Sequence, residues 1–351
     1  MYPELMPVEQ VLLASPRGFC AGVEMAIKAL GWMVRVFESP VYCYHEIVHN
    51  QLVVERFEQL GVVFVNDIAD VPEGAPVMLS AHGSAPDVVA RARASGGYVV
   101  DAVCPLVTKV HHEARVRAGK GYSIIYVGHE GHDEAVGTMA VAPGAIHLVE
   151  SEDDVAALPA MEGPTALLAQ TTLSHHDWAG ALDAARQRFP DLWMPTRSDL
   201  CFATTNRQSA LKQIAATADA VVVIGSANSS NTVALEKVAR GSGAPRVLRV
   251  NGAAELPDDL SGTVGVTAGA SAPEELVRAV LDHLAPTQGV ELVTVTEEEE
   301  YFPPPRELRD LVRAVSTAAA AALLAPATES GVALSGDRSI AASDVLDALA
   351  S

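Results

Sequence analysis

The sequence predicts an α/β protein of three similar α/β lobes, each with a small, mostly parallel sheet and each delivering one cysteine to a common centre. Two observations predict it. Short apolar, β-branched runs end in small polar residues and lead into helical patterns, and this happens eight times along the chain. Cys20, Cys104 and Cys201 each open a helical stretch in a similar setting, with two or three strand–helix units between one and the next. Continuous apolar strands alternating with helices make parallel sheets buried on both faces. Such sheets keep their sites at the carboxyl ends of the strands.

The runs, in order, are "VLLASPRGFC", the more polar "VYCYHEIVHN", "VMLSAHGSA", "YVVDAVCP", "SIIYVGHEGH", "TALLAQTTLS", "AVVVIGSANSS" and "TVGVTAGASAP". Helix starts are well signed. Pro105 follows Cys104 in a favoured first-turn position. Ser271 and Glu274 form the S-x-x-E pattern of a capping box. Ser230 or Asn231 is expected to cap the helix through "TVALEKVAR". The lobes are expected at 11–104, 105–200 and 201–290. A segment over 291–312 closes back on the core, and an alanine-rich, mobile tail fills 313–351. The acidic run at 297–300 reads as a solvated face.

Composition narrows the function. The chain has 351 residues, 49% of them hydrophobic, enough for a large core without staples. A net charge of −20 argues against a nucleic-acid groove or an anionic membrane surface as partner. No apolar run reaches the roughly 18 residues of a membrane span. The first ten residues lack the pattern of a secretory signal, so a cytoplasmic location is expected. There the four cysteines are thiols or metal ligands. No glycine-rich nucleotide motif occurs.

Three cysteines brought together fit a structural zinc poorly, since zinc wants four ligands and usually close pairs. They fit a cubane iron–sulfur cluster with one iron left open. Three packed core thiols remain the other reading. Cys43 is expected to be a packed thiol. His49, His82 and His132 sit at strand ends, joined by the hydroxyls and amides of 170–174, 228–231 and 268–271. Such groups at helix N-termini suit a phosphate or diphosphate. Glu134 beside His132 reads either as a proton donor raised by burial or as an acidic residue favoured by a helix dipole.

The motifs "PRGFCAGV", "HEIVHN", "SAHG", "CPLVTKVH", "GTM", "QTTLS", "ATTNRQ", "NSSN" and "GVTAGASAP" occur together and in this order. In this the chain resembles the 4-hydroxy-3-methylbut-2-enyl diphosphate reductase family of the methylerythritol phosphate isoprenoid pathway. The resemblance implies a central cavity holding a 4Fe-4S cluster on Cys20, Cys104 and Cys201, with the fourth iron open to the substrate hydroxyl. It implies a diphosphate site of His49, His82, His132, Ser229, Ser230, Asn231 and Ser271. It makes Glu134, with His132, the proton-delivering group and Thr171 the partner of the substrate hydroxyl. The implied reaction is a reductive dehydroxylation to isopentenyl and dimethylallyl diphosphates, with ferredoxin or flavodoxin as electron donor. A monomer is expected, because the pocket is built within one chain. Val103, Asp133, Val136 and the "TVAL" after "NSSN" depart from the family pattern without touching the named ligands. A paralogue acting on another allylic diphosphate, a non-catalytic iron–sulfur sensor and a zinc hydrolase are the competing readings.

Overall fold

The computed structural model describes residues 7–161, 163–322 and 336–350. The chain divides into two compact units, one of Met1–Cys20 with Leu106–Glu299, the other of Ala21–Pro105 with Glu300–Ser351. In chain order, β1 (Val8–Ser15) opens the first unit. The second follows with α1 (Ala21–Val36), β2 (Val41–Tyr44), α2 (Gln51–Gln59), β3 (Val62–Val65), β4 (Val77–Leu79), α3 (Pro86–Ala94) and β5 (Val99–Asp101). The chain returns to the first unit through α4 (Pro105–Gly119), β6 (Ser123–Val127), α5 (Asp133–Met139), β7 (Ile146–Val149), α6 (Glu152–Ala157), β8 (Thr165–Ala169) and α7 (His175–Arg188). It continues with α8 (Phe202–Ala215), β9 (Ala220–Ile224), α9 (Ser230–Gly241), β10 (Val247–Val250), β11 (Gly262–Ala268), α10 (Glu274–Leu284) and β12 (Val290–Thr294). Helices α11 (Arg306–Ala322) and α12 (Ala342–Ala350) belong to the second unit.

The strands form three parallel sheets, ordered β3-β2-β4-β5, β7-β6-β8 and β10-β9-β11-β1-β12. One winding recurs. The first strand of each trio is central, the next lies on one side, and the third on the other. Where the winding reverses, the connections leave in opposite directions and open a crevice at the strands' carboxyl ends. His49 and His82 follow β2 and β4. His132 and Thr171 follow β6 and β8. Ser229 to Asn231 and Ser271 follow β9 and β11.

In the first unit, β9 is buried along its whole length. Val221 and Val223 face Leu211 and Ile214 of α8 and Leu235 of α9. Val222 and Ile224 face Val277 and Val280 of α10. Sheet β7-β6-β8 is covered in the same way. Ile125 and Leu167 pack toward Trp178 and Ala181 of α7. Ile124 and Leu168 pack toward Val110 and Ala114 of α4. Each such buried side chain contributes about 1.5–3 kcal/mol.

The eight expected strands all form. The four that sequence reading missed, β3, β7, β10 and β12, are sheet-edge strands. His147, Arg249 and Glu291 interrupt their apolar pattern, because one side meets solvent. β3 is apolar but only four residues long. One boundary also differs from expectation. β1 pairs in parallel with β11 and β12, so residues 8–15 complete the sheet of the 201–290 lobe and not that of 11–104. Val11 and Leu13 are buried there with Val264 and Val266.

Two caps differ as well. Ser229, not Ser230 or Asn231, caps α9, its Oγ accepting the Thr232 N–H at 3.3 Å. The Ser271–Glu274 box does not form; Pro273 precedes α10. Glu274 is instead drawn to the guanidinium of Arg17, a stronger charge-assisted partner. Among the described residues no helix is long and apolar enough to cross a membrane.

The expected mobile tail is corrected in part. α11 is helical to Ala322, and residues 336–350 dock on α1; residues 323–335 and 351 lie outside the described residues. α1 is buried on nearly every side, Lys28 included. The Lys28 ammonium donates to the Asp337 and Ile340 carbonyls at 2.8 and 3.1 Å and pairs with the Asp337 carboxylate at 3.3 Å. The Tyr301 hydroxyl donates to that carboxylate at 2.8 Å. Ala342 and Leu346 bury their side chains in this unit. Low aromatic content suggested mobility, but a buried ammonium needs partners, and this segment supplies them.

Asp337→Ala is expected to lower unfolding stability by about 3 kcal/mol, because it leaves Lys28 buried beside a lost counter-charge. Asp310→Ala, at an exposed ion pair, is expected to stay within about 0.5 kcal/mol. Urea titration of the two variants tests this.

Candidate active site

Each element delivers its side chain through a strand end or a helix start. His132 is the cap of α5, and its Nδ1 accepts the Glu134 N–H at 3.2 Å. That bond leaves the ring proton on Nε2. Glu134, two residues on, is buried. Thr171, just past β8, meets it twice. The Thr171 N–H donates to Glu134 Oε1 at 2.8 Å, and the Thr171 hydroxyl to Oε2 at 3.0 Å.

Burial is the main force on Glu134 and pushes its carboxyl up to about 7. The two Thr171 hydrogen bonds pull it back, and the nearby Asp199 charge adds a smaller upward push. Asp199 is itself buried and held by Lys109 at 2.8 Å. Its other oxygen accepts the Ala169 N–H at 3.1 Å, fixing the end of β8 that presents Thr171.

A second network lies beside the first. Gln170 donates to the hydroxyls of Thr172 and Ser230 at 2.9 and 3.0 Å, and its carbonyl accepts the His129 N–H at 2.9 Å. Thr172 also donates to Ser230, and His129 Nδ1 lies 3.3 Å from the Ser230 hydroxyl. Asn231 accepts the Ala270 N–H at 2.8 Å and reaches the Thr204 hydroxyl at 3.4 Å. Thr204 meets the Cys201 sulfur through both its N–H and its hydroxyl. The Cys20 N–H donates to the Ala270 carbonyl at 3.2 Å. Ala270, Asn231 and Thr204 thus form a continuous path from Cys20 to Cys201.

Cys201 caps α8, and Cys20 and Cys104 each immediately precede a helix. None of the four cysteines forms a disulfide. Burial, with a smaller push from a charge at Cys20, raises the Cys201 thiol to about 11. An ionised Cys201 is therefore unfavourable here without a cation, whereas a soft metal centre would take its sulfur as a thiolate. This donor set fits an iron–sulfur group. Cys43 is fully buried and its thiol is pushed far up by burial, as expected of a packed residue.

In the second unit, His49 and His82 stack with ring centroids 4.0 Å apart. His49 Nδ1 lies 3.1 Å from the Glu46 carboxylate, and His82 Nδ1 lies 3.4 Å from the Ser80 hydroxyl. The Cys104 N–H donates to the Ala81 carbonyl, beside His82.

The structure thus joins Glu134 with Thr171, Asn231 with Cys201 through Thr204, and His49 with His82. The Ser229 hydroxyl serves as a helix cap, and Ser271 is buried at the end of β11. Sequence reading did not single out Gln170, Thr204, Asp199 or Arg207. Gln170, Thr204 and Arg207 lie inside quoted motifs, but nothing in a lone polar residue announces its burial.

A parallel α/β scaffold with polar side chains and cysteines gathered at strand ends and helix starts marks the class of the protein, an α/β oxidoreductase. The chain belongs to the LytB protein family, whose model matches residues 11–285. It is 47% identical to a 4-hydroxy-3-methylbut-2-enyl diphosphate reductase of Rhodopirellula baltica, over 86% of this chain and 96% of that protein. It is 46% identical to the enzyme of the same name from Streptomyces avermitilis, over 88% and 93%. Among solved structures it is similar to the E-1-hydroxy-2-methyl-but-2-enyl-4-diphosphate reductase of Plasmodium falciparum. That match has a TM-score of 0.85 and 31% identity, covering 88% of this chain and 99% of the other. A second, (E)-4-hydroxy-3-methyl-but-2-enyl diphosphate reductase, described as the terminal enzyme of the non-mevalonate pathway, matches with a TM-score of 0.58 and 27% identity. It covers 79% of this chain and 99% of the other.

The raised Glu134 carboxyl has a consequence for stability. Between about 4.5 and about 7 the folded chain keeps a proton that the unfolded chain loses. Its contribution is fully present below about 4.5 and is lost as pH rises through about 7. Glu134→Gln should therefore gain stability relative to wild type as pH rises across this window. Urea unfolding of the metal-free proteins at several pH values checks the sign.

Proposed function

We propose that the protein catalyses the reductive dehydroxylation of 4-hydroxy-3-methylbut-2-enyl diphosphate to isopentenyl and dimethylallyl diphosphates. The observation that carries this reading is the buried Glu134–Thr171 pair at the end of β8. The reaction takes up two electrons and two protons and releases the hydroxyl as water, so the site needs an acid. Cys20, Cys104 and Cys201 are the residues that would hold a 4Fe-4S cluster. Bound there, the cluster supplies the electrons and an electrophilic iron for the departing hydroxyl.

The chain's own groups manage the proton and the substrate. Near neutral pH, Glu134 is present in both protonated and ionised forms. In its protonated form it donates to the Thr171 hydroxyl, 3.0 Å away, which passes its own proton to the leaving oxygen. His132, with its proton on Nε2, is a further donor at the same helix start. Ser229, Ser230 and Asn231 at the start of α9, with Ser271, are the proposed diphosphate contacts. The stacked His49 and His82 rings are further proposed diphosphate contacts, as imidazole N–H groups can donate to phosphate oxygens. Binding the diphosphate away from the reacting carbon orients the other end. Ferredoxin or flavodoxin is the proposed donor, in a cytoplasm that keeps the thiols reduced.

Glu134→Gln is expected to keep its iron, its sulfide and its substrate affinity while turnover falls by roughly 10²- to 10⁴-fold. Anaerobic purification, iron and sulfide analysis, and product detection with a low-potential reductant test both parts. A wild-type protein that takes up no iron after anaerobic reconstitution refutes the cluster assignment. An iron-loaded wild-type protein that leaves this substrate untouched refutes the reaction.

A further inference from the structure

Arg207 has the largest fully buried side chain among the described residues. A buried guanidinium is costly unless its five N–H groups are all paired. Here they are. Nε and one Nη2 hydrogen donate to the Gly18 carbonyl at 3.0 and 2.8 Å, and Nη2 also donates to the Phe19 carbonyl at 3.1 Å. Nη1 donates to the Ala203 carbonyl at 3.0 Å and to the Glu298 carboxylate at 3.0 and 3.1 Å. Glu298 also accepts from the Asn206 amide at 3.0 Å. The acidic run that sequence reading places in solvent thus supplies the counter-ion of a buried arginine.

The partners lie on the two segments that carry Cys20 and Cys201. Gly18 and Phe19 are the residues before Cys20, while Ala203, Asn206 and Arg207 lie in α8, directly behind Cys201. The other side of the Cys20 loop is pinned too: the Gly18 and Cys20 N–H groups donate to the Ala268 and Ala270 carbonyls, each at 3.2 Å. Gly18 has φ +66°, and a Cβ there would lie 3.2 Å from the Ala272 carbonyl. That left-handed turn is open to glycine at little cost. It turns the carbonyls of two successive residues toward one guanidinium, a geometry that a fork can satisfy and an ammonium cannot.

We infer that Arg207, neutralised by Glu298, is the positioning residue that holds the Cys20 loop against the Cys201 helix, so that these two thiol donors stand assembled before any cluster arrives. This rests on the cluster reading given above. Arg207 touches neither sulfur; it acts through the loop and the helix.

The test uses the full chain, metal-free, with iron(II) and sulfide as probes under anaerobic conditions. Arg207→Lys keeps the charge but not the fork. With an unchanged far-ultraviolet circular dichroism spectrum, it should lose reconstituted iron to a chelator roughly 10–100-fold faster than wild type. The electron paramagnetic resonance signal of its reduced cluster should also differ from wild type. Wild-type retention with an identical signal overturns the inference. Should Arg207→Lys fail to fold, amide exchange in the metal-free wild-type chain decides instead. Protection of the Gly18 and Cys20 amides close to that of β9, weakened in Glu298→Gln, is the expected result. Exchange at unprotected rates overturns it. A wild-type chain that binds no iron refutes the cluster reading alone, and amide exchange still judges the Arg207 staple.

Discussion

The carboxyl ends of the parallel strands are where the polar side chains of the candidate site gather, and the reason is geometric. A parallel strand cannot hand its chain directly to its neighbour; it must leave through a helix on one face. The loop between strand and helix therefore ends in unpaired helix N–H groups and is free to carry polar side chains. In each sheet one trio of consecutive strands, β2 to β4, β6 to β8 and β9 to β11, has its first strand in the middle and its next two added on opposite sides. That reversal separates two successive loops and leaves space between them. His132 with Thr171, and the 229–231 turn with Ser271, occupy such paired positions in the first unit, as His49 and His82 do in the second.

Several buried charges share one solution. Glu134 is buried and accepts two hydrogen bonds from one threonine. Its carboxyl therefore remains poised between its two forms instead of being locked in either. Asp199 is treated differently: Lys109 and a backbone N–H commit it to pinning β8. Lys28 in the second unit and Arg207 in the first are satisfied by carbonyls together with one carboxylate each. The distinction follows from the partners. Glu134 faces only neutral donors, whereas the Asp199 carboxylate, also pushed up by burial, has the Lys109 ammonium beside it to pull it back.

Much of this could be read in the chain before folding. The eight principal strands are written as apolar runs, and the small polar residues that close them mark the loops. Cys20, Cys104 and Cys201 open helices as their contexts indicate, since a polar atom before an apolar period is a local signal. Ser229 was displaced by one position from the expected cap because serines and an asparagine in a row offer several equivalent oxygens. The Ser271–Glu274 box failed because Arg17, distant in sequence, competes for the same carboxylate.

The sequence by itself determined what depends on near neighbours. That covers the alternation of strands and helices, the placing of thiols and hydroxyls at helix starts, and the ordered motifs shared with a known family. Tertiary structure decided what depends on distant residues meeting. It placed β1 in a sheet with β11 and β12, which follow it by more than two hundred residues. It gave Arg207 a counter-ion from the acidic run and gave Lys28 one from the C-terminal segment. It also raised the Glu134 carboxyl. Local patterns carry torsional preference and periodicity. Burial and charge pairing are properties of the packed chain, and no single segment encodes them.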